Sequence, residues 1–511
     1  MTTSAIPGKS LFASSRYVLI PVLVLIFGLG LGIRLSDLTD LPLDFHPTRQ
    51  LLSALKARGM YYQTLSDVPK WQREMAIQQW KLKATVEPPV LETIVATTYR
   101  FSGEQLWVAR IYSSLFWVLG GIFLFLLARD LISIDGAVVA TAFYLFLPYA
   151  VTASRSFQPD PLMITLILLF WWALSRWAKH PSWGWATLAG LGGGLAIFIK
   201  LAAVFFIIGG ALGVLLSHYR IRDLAHNSQV WVMAILGALP GVIYIIYGVF
   251  VSGFLTQQFS GRFFPEMLIE PIFYVRWAGK VNLVMSPPVA MLGLLGLFFV
   301  STRPSRIAIL SLWAAYVAYG LIFNYHIASH DYYNLPLIPI VGLSLAAFAD
   351  FVCVRLRQIT AKGFVLRLAA AGILLYGLVA PLWDIRTEMK TTDFRPEAAY
   401  WAKIGDILGQ RASLIALTED YGSRLAYWGW QSASVWPSSG DTTYHVDLRG
   451  GHYKFERLFT KMTGKKDFFL VTDMQEFQRQ PELAEHLYAG FPIYAQGDGY
   501  LIFDLRNPLN P

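Results

Sequence analysis

The sequence predicts an α-helical polytopic membrane protein of about eleven transmembrane helices, followed by a small extracytoplasmic α/β domain. Of its 511 residues, 55% are hydrophobic, 15% are aromatic and only 15% are charged. Soluble domains carry about 25% charged residues, and an aqueous globule could not cover so much apolar surface. The composition therefore excludes a soluble enzyme, a collagen, a disordered chain and a coiled coil.

Apolar runs of spanning length recur along the first three quarters of the chain. The first run has no A-x-A-like cleavage site before Asp37, so it is predicted to be a span rather than a cleaved signal. Residues 184–217 fit one broken hairpin or two short helices. The predicted spans are 17–33, 107–128, 135–153, 160–177, 184–199, 201–217, 230–251, 287–301, 307–323, 332–352 and 365–382.

The distribution of charge predicts the orientation. Residues 1–383 carry 28 Lys and Arg against 16 Asp and Glu, whereas residues 384–511 carry 14 against 17. Short basic loops in alternation are predicted to be cytoplasmic, which leaves the long loops 34–92 and 252–286 and the C-terminal segment outside. An integral protein of a bacterial-type inner membrane or plasma membrane is expected. No zinc-finger spacing or Lys/Arg-rich run indicates nucleic acid as a partner.

Two domains are predicted, a transmembrane catalytic domain at 1–383 and a soluble α/β domain at 384–511. Within the outer loop 34–92, Thr48–Leu65 and Trp71–Lys83 mix apolar and basic residues as interfacial helices do. The soluble domain alternates strand-length apolar runs with an amphipathic helix at Gln475–Leu487. The predicted strands are Ser413–Leu417, Phe468–Thr472 and Tyr500–Phe503.

Ionisable groups at a membrane rim are expensive to bury, so they are candidate functional residues. Asp44 follows the first span in the segment LPLDFHPTRQ, with His46 and Arg49 beside it. A partly desolvated carboxylate next to a cation can act as a general base. The alternative is that Asp44 or Thr48 only caps the helix that begins near Pro47.

Two further candidates stand in the turn SRSFQPDP between the third and fourth spans. Asp160 precedes Pro161, a favoured first helical residue, so N-capping is the simplest role for its carboxylate. Arg155 lies in a short outer turn, where a single arginine is seldom needed for the structure, so a functional role is considered. Both residues are predicted on the same side of the membrane as Asp44.

Three more ionisable groups are predicted on that side. Glu87 precedes two prolines where the outer loop returns to apolar sequence, and Arg262 lies in the second long loop. Lys200 stands between two apolar runs, where its stem either snorkels along the bilayer or its ammonium binds phosphate.

A segment with two histidines precedes the predicted tenth span. It contains His326 and then the run Ser-His-Asp-Tyr-Tyr, in which the candidates are His330, Asp331 and Tyr332. Tyrosines at a span end usually form an aromatic belt. The histidines, with Asp331, Asp44 and His46, could hold a divalent metal, but no HExxH-like spacing fixes such a site. The single cysteine, Cys353, excludes a Cys-based cluster.

These groups are all predicted on the outer side of the membrane. Together they indicate a polar cavity that opens outward at the rim of the bilayer. Such a cavity suits a substrate with a lipid tail and a charged head, because spans hold the tail and cations hold a phosphate. No Walker-type GxxxxGK[ST] motif is present. Gly190–Gly194 lies within a span and is predicted to permit close helix packing.

The order of these motifs resembles family 39 of the GT-C-fold, polyprenyl-phosphate-sugar-dependent glycosyltransferases, which includes protein O-mannosyltransferases and lipid A aminoarabinose transferases. The resemblance covers about residues 15–350 and rests on Asp44 after the first span, the Pro-Pro re-entry EPPVLETIVATTYR, the turn SRSFQPDP, the stretch GGGLAIFIK and HDYY-x-LP. Many members have Asp-Glu where this chain has Asp44-Phe45, which weakens a carboxylate-pair metal site. Many also have Lys where this chain has Glu87.

The resemblance implies transfer of a sugar from a polyprenyl-phosphate donor to an acceptor hydroxyl on the extracytoplasmic face, with inversion. Asp44 would be the base, with His46 and Arg49 supporting it, and Asp160 would orient the acceptor or sugar or hold Arg155. The remaining groups would contact the donor phosphate or sugar, namely Lys200, Arg155, Arg262, Glu87, His330, Asp331 and Tyr332. The acceptor would be a lipid, a glycan or a protein.

Two other interpretations remain open at this point. A transporter or flippase of lipid-linked sugars would use the same cavity without making bonds, although the paired halves of many transporters are not visible here. The C-terminal domain could instead bind sugar through Trp428, Trp430 and Trp436, but a core position is favoured for these tryptophans.

Overall fold

The computed structural model describes residues 12, 16–83, 86–256, 263–360, 363–410, 412–443 and 454–509. The chain forms two compact units. Unit 1 comprises Met1–Leu38, Thr85–Val90 and Trp107–Thr392, and unit 2 comprises Thr39–Ala84, Leu91–Leu106 and Asp393–Pro511. This division differs from the predicted one, because most of the first long loop groups with the C-terminal segment.

Helices account for most of the described chain. In sequence order they are α1 (Arg16–Arg34), α2 (Pro47–Tyr62), α3 (Lys70–Leu82), α4 (Val90–Ser102), α5 (Trp107–Leu131), α6 (Ile134–Phe146), α7 (Pro148–Ser154), α8 (Asp160–Lys179), α9 (Trp183–Ile199), α10 (Ala203–His218), α11 (Ile221–Ala225), α12 (Ser228–Ile246), α13 (Pro271–Val284), α14 (Pro287–Gly296), α15 (Arg303–Ile322), α16 (Asn324–Ser329), α17 (Leu337–Thr360), α18 (Phe364–Thr391), α19 (Arg395–Leu408), α20 (Ser423–Trp428), α21 (Phe455–Thr463), α22 (Met474–Gln478) and α23 (Pro481–Gly490).

Unit 1 contains the membrane-spanning helices. Among the described residues, six helices are long and apolar enough to cross a bilayer, and two bent helix pairs raise the number to as many as eight. The predicted helical membrane architecture is confirmed. The total of about eleven also counts α9, α10 and α18 as spans, and α9 and α10 are two short helices of 17 and 16 residues.

Prolines explain both bent pairs. The chain turns by 62° between α6 and α7 and by 91° between α13 and the segment Pro287–Phe299. Pro148 begins α7 and Pro287 begins α14. A proline removes a backbone donor and disfavours helical geometry in the residue before it, so one helix ends and another begins in a new direction.

Glycines allow α9 to pack closely against α12. A Cβ atom added at Gly194 would lie 2.1 Å from the carbonyl oxygen of Leu236, and one added at Gly190 would lie 2.8 Å from Leu236 Cβ. Any larger residue at Gly194 would therefore force the two backbones apart. The predicted packing role of the glycine-rich stretch is confirmed.

Unit 2 contains a five-stranded sheet with the order β2-β1-β3-β5-β4. β1 pairs in parallel with β2 and β3, and β5 pairs antiparallel with β3 and β4. The three predicted strands are confirmed as β1, β3 and β5. The short β2 and the partly exposed β4 lack an apolar run long enough to be predicted from the sequence. The strands are β1 (Leu414–Leu417), β2 (Ala433–Val435), β3 (Phe468–Val471), β4 (Ile493–Gly497) and β5 (Tyr500–Asp504).

Alternate residues of the central strands face opposite layers of helices. Leu414 and Ala416 pack with α19, while Ile415 and Leu417 pack with α21 and α23. The predicted single helix at Gln475–Leu487 is wrong, since α22 ends at Gln478 and α23 begins at Pro481. A proline is tolerated in the first turn of a helix but not in its interior, so it separates the two.

The tryptophans of unit 2 serve packing. Trp436 is buried in one core layer, and Trp428 packs against the other. Trp430 lies against the guanidinium of Arg58, 4.1 Å from ring centroid to carbon, and Arg58 donates a hydrogen bond to the carbonyl of Ala426. Burial lowers the pKa of the Arg58 guanidinium. These contacts explain why α2 groups with the C-terminal residues.

Candidate active site

An ion pair buried inside unit 1 is the centre of the candidate site. Asp160 is the first residue of α8, and Lys200 follows the last residue of α9. The carboxylate therefore lies at a helix N-terminus and the ammonium at a helix C-terminus, where each charge is favoured by the helix dipole. Because α8 and α9 pack together, Lys200 Nζ lies 2.9 Å from Asp160 Oδ1. Only 2% of Asp160 and 6% of Lys200 is exposed.

The carboxylate of Asp160 does not cap α8. The N-cap residue of α8 is Pro159, so the predicted N-capping role of Asp160 is wrong. Within the described part of the chain, its second oxygen, Oδ2, has no hydrogen-bond partner although it is buried. Buried polar atoms are nearly always paired, so an unpaired carboxylate oxygen beside a lysine needs an explanation.

Aromatic rings surround the lysine. Lys200 Nζ lies 4.8 Å from the ring centroid of Tyr333 and 5.2 Å from that of Tyr332, both on the 3₁₀ turn Asp331–Asn334. Tyr149 on α7 lies near Asp331 and Asp160. The structure thus brings Asp160, Lys200, Asp331 and Tyr332 together.

The two histidines of the same segment stack on each other. The ring centroids of His326 and His330 are 6.0 Å apart, and His326 lies 5.1 Å from Tyr333. His330 Nδ1 is 2.7 Å from the hydroxyl of Ser329. His330 therefore adjoins the aromatic side of the site.

A narrow cleft beside the ion pair adjoins a large apolar groove. Glu87 and Lys200 both line the cleft. The groove has a volume of about 550 Å³ between α8, α9, α10 and α12, and each of its lining residues is apolar or glycine. Leu201 and Phe323 line both spaces, so the groove adjoins the cleft that Lys200 and Glu87 line.

The other cations proposed for phosphate have different surroundings. Arg155 is buried, donates a hydrogen bond of 2.9 Å to the carbonyl of Asp37 and contacts the sulfur of Met389. These contacts tie the turn after α7 to the end of α1 and to α18. Arg262 lies outside the described residues.

Asp44, His46 and Arg49 belong to unit 2. Asp44 is half-buried, and its Oδ1 accepts a hydrogen bond of 3.3 Å from Gln50 Nε2. His46 is the N-cap residue of α2, in a left-handed conformation with φ 45° and without a side-chain capping bond. Since His46 holds the N-cap position, neither Asp44 nor Thr48 occupies it. The Thr48 hydroxyl instead donates a hydrogen bond of 2.9 Å to Asp420 Oδ1.

Metal-ligating side chains do not cluster in the described ranges. There, no group of three or more His, Cys, Asp or Glu side chains has a geometry that could hold a metal ion.

Proteins of known structure share this architecture. The family model for dolichyl-phosphate-mannose-protein mannosyltransferase matches residues 86–247. A solved structure of ArnT from Cupriavidus metallidurans in the apo state superposes with a TM-score of 0.59 at 16% identity, covering 95% of this chain and 98% of that one. The chain has the GT-C fold. The predicted resemblance to family 39 is confirmed.

Two more GT-C structures hold lipid phosphates. ArnT from Cupriavidus metallidurans bound to undecaprenyl phosphate has a TM-score of 0.56 at 15% identity, over 95% of this chain and 98% of that one. AglB, an archaeal oligosaccharyltransferase from Archaeoglobus fulgidus, was solved in complex with an inhibitory peptide and a dolichol-phosphate. It superposes with a TM-score of 0.55 at 12% identity, covering 97% of this chain and 76% of that one. A comparison with curated protein sequences finds no match.

Sequence reasoning missed three residues in or near this candidate site. Tyr149 and Tyr333 resemble any aromatic residue at a membrane interface until the fold places them beside Asp331 and Lys200. Gln158 is 1% exposed, and among the described residues neither atom of its amide has a partner. The sequence signal that could have identified Gln158 is its position two residues before the candidate carboxylate of Asp160.

Proposed function

We propose that this chain is a membrane glycosyltransferase. It moves a sugar from a polyprenyl-phosphate donor to an acceptor hydroxyl on the extracytoplasmic face, with inversion at the anomeric carbon. The observation that carries the proposal is the large apolar groove next to the cleft that Lys200 lines, with Leu201 and Phe323 lining both spaces. An isoprenoid tail requires an apolar channel, and its phosphate requires a cation where that channel ends.

The residues of unit 1 suit the departure of a lipid phosphate. The leaving group is already an anion, so it needs a nearby cation more than it needs a proton. Lys200 supplies that cation, and Asp160 holds its ammonium at 2.9 Å. Tyr332, His330 and Asp331 are proposed to line the sugar or phosphate subsite, with Glu87 at the adjoining cleft.

The acceptor hydroxyl needs a base, and Asp44 is proposed for that role. This assignment rests on the family resemblance and on the position of Asp44 after the first span. The solved GT-C proteins support the donor class, because one holds undecaprenyl phosphate and another holds dolichol-phosphate. The acceptor is proposed to be a lipid, a glycan or a protein.

Binding of the carrier lipid tests the proposed donor. Purified full-length protein in detergent should bind undecaprenyl phosphate at least about tenfold more tightly than undecaprenol, because a charged hydrogen bond contributes about 1.5–3 kcal/mol. Ala211 lines the groove, so Ala211→Phe should weaken binding, whereas Leu212→Phe on the exposed neighbouring position should not. Equal affinity for the phosphate and the alcohol would contradict the proposal.

Product formation separates a transferase from a transporter. In detergent no compartment exists to transport into, so a flippase would leave the lipid-linked sugar unchanged. A transferase supplied with a polyprenyl-phosphate sugar and an envelope extract should release free polyprenyl phosphate. Absence of release from folded protein would favour the transporter.

Replacement of Gln158 distinguishes a ligand-binding amide from a packing residue. If its amide binds donor or acceptor, Gln158→Met should keep or raise thermal stability while lowering turnover about tenfold, because an apolar side chain leaves no buried polar atom unpaired. Gln229 is a matched control, since its Oε1 accepts a hydrogen bond of 2.6 Å from Trp177. Gln229→Met should lower stability and leave turnover unchanged. Unaltered turnover of Gln158→Met would remove the assignment.

A further inference from the structure

A second apolar space lies between the first and last helices of unit 1. Leu29, Gly32 and Ile33 on one face of α1 line this space, together with Ser36 just after the helix. Their spacing of three, four and seven positions places them along one side of a helix. The space between the helices measures about 350 Å³. This volume lies in the range of small-molecule binding sites.

The facing helix supplies a cation at one end of this crevice. Val379, Leu382, Trp383 and Arg386 line it from α18 with the same helical spacing. The Arg386 guanidinium lies 5.6 Å from the Trp383 ring centroid and is exposed. Within the described ranges, no carboxylate forms an ion pair with it, and no residue lining the crevice is acidic.

We propose that this crevice binds one molecule of an anionic phospholipid. Its phosphate would lie at Arg386, and an acyl chain would lie between α1 and α18. A guanidinium presents parallel donors that match phosphate oxygens, and tryptophan favours the headgroup level of a bilayer. An apolar crevice with a single unopposed cation complements an amphiphile whose head is negative.

Gly32 keeps the crevice open. A Cβ atom built at this position meets no atom within 4 Å. The side chain of a leucine here would therefore start in open space and extend toward the position of the acyl chain. A substitution at Gly32 changes the space for the acyl chain, whereas a substitution at Arg386 changes the charge, so the two properties can be tested separately.

This site is distinct from the proposed donor groove. The groove lies between α8, α9, α10 and α12, whereas the crevice lies between α1 and α18. Its occupancy does not depend on the identity of the sugar donor. Failure of one proposal therefore leaves the other intact.

Fluorescence quenching by brominated lipids tests the crevice. The full-length protein is titrated with brominated phosphatidylglycerol or brominated phosphatidylcholine in mixed micelles, and the signal of Trp383 is isolated by difference from Trp383→Phe. A preference of about fivefold for phosphatidylglycerol is expected, from one basic residue near an anionic headgroup. Arg386→Gln should abolish that preference.

Two further variants complete the test. Gly32→Leu should reduce quenching by both lipids, and Lys390→Gln, which changes an exposed cation of α18 outside the crevice, should change neither titration. Equal quenching by the two lipids in the parent protein would overturn the proposal, and so would a preference that survives Arg386→Gln. Thermal unfolding of each variant in detergent confirms that the comparison uses folded protein.

Discussion

Replacement of Asp44 by asparagine is expected to reduce sugar transfer by about 10²–10⁴-fold, the usual contribution of a general base. Asparagine keeps the shape of the side chain and an oxygen that can accept the hydrogen bond from Gln50. The fold should therefore survive while the acceptor hydroxyl loses its base. Release of polyprenyl phosphate and thermal unfolding, measured on the same preparation, would show both effects.

Asp67 offers a matched control in the same unit. It is exposed, and its carboxylate accepts a local hydrogen bond of 2.8 Å from the hydroxyl of Ser66. Asp67→Asn should leave both turnover and stability unchanged. Full activity of a folded Asp44→Asn protein would withdraw the assignment of the base, but it would leave the proposed lipid-phosphate site standing.

The second large effect is expected at the buried ion pair. Lys200→Met should lower the free energy of unfolding by about 3–5 kcal/mol, because it leaves the Asp160 carboxylate buried without its cation. It should also abolish the preference for undecaprenyl phosphate over undecaprenol. Titration of the carrier lipid and thermal unfolding in detergent measure the two results.

A double-mutant cycle separates the structural role of the pair from its role in binding. Lys200→Met combined with Asp160→Asn removes both charges, so most of the lost stability should return. Binding of the lipid phosphate should not return, because the cation is still missing. Arg176→Gln is the control, since Arg176 is partly exposed and lies 3.5 Å from Asp130. Recovery of phosphate-dependent binding in the double mutant would show that Lys200 serves stability alone.

The membrane fold could be predicted because its signal is local. A run such as residues 107–128 must be buried in lipid or protein wherever its neighbours lie, and it corresponds to α5. The strands Leu414–Leu417 and Phe468–Val471 were also predictable, since each is buried along its whole length. The break at Pro481 was missed because helical periodicity continues across it.

The candidate site was only partly predictable. Asp160 and Lys200 were identified as unusual charges at span ends, but their mutual contact was not predicted. The carboxylate was read instead as an N-cap because Pro161 follows it. Burial of Gln158 without a partner has no sequence signature, since the same residue in a solvated turn would look identical.

Composition and motif order were enough to establish a helical membrane protein that resembles family 39, because hydrophobicity and spacing are properties of the chain alone. The packing of helices decided which charges meet. Asp160 and Lys200 are 40 residues apart, and their ion pair exists only because α8 and α9 lie side by side with opposite termini together. The apolar groove and the crevice at Arg386 likewise are spaces between helices, and such spaces depend on how side chains from distant segments fill volume.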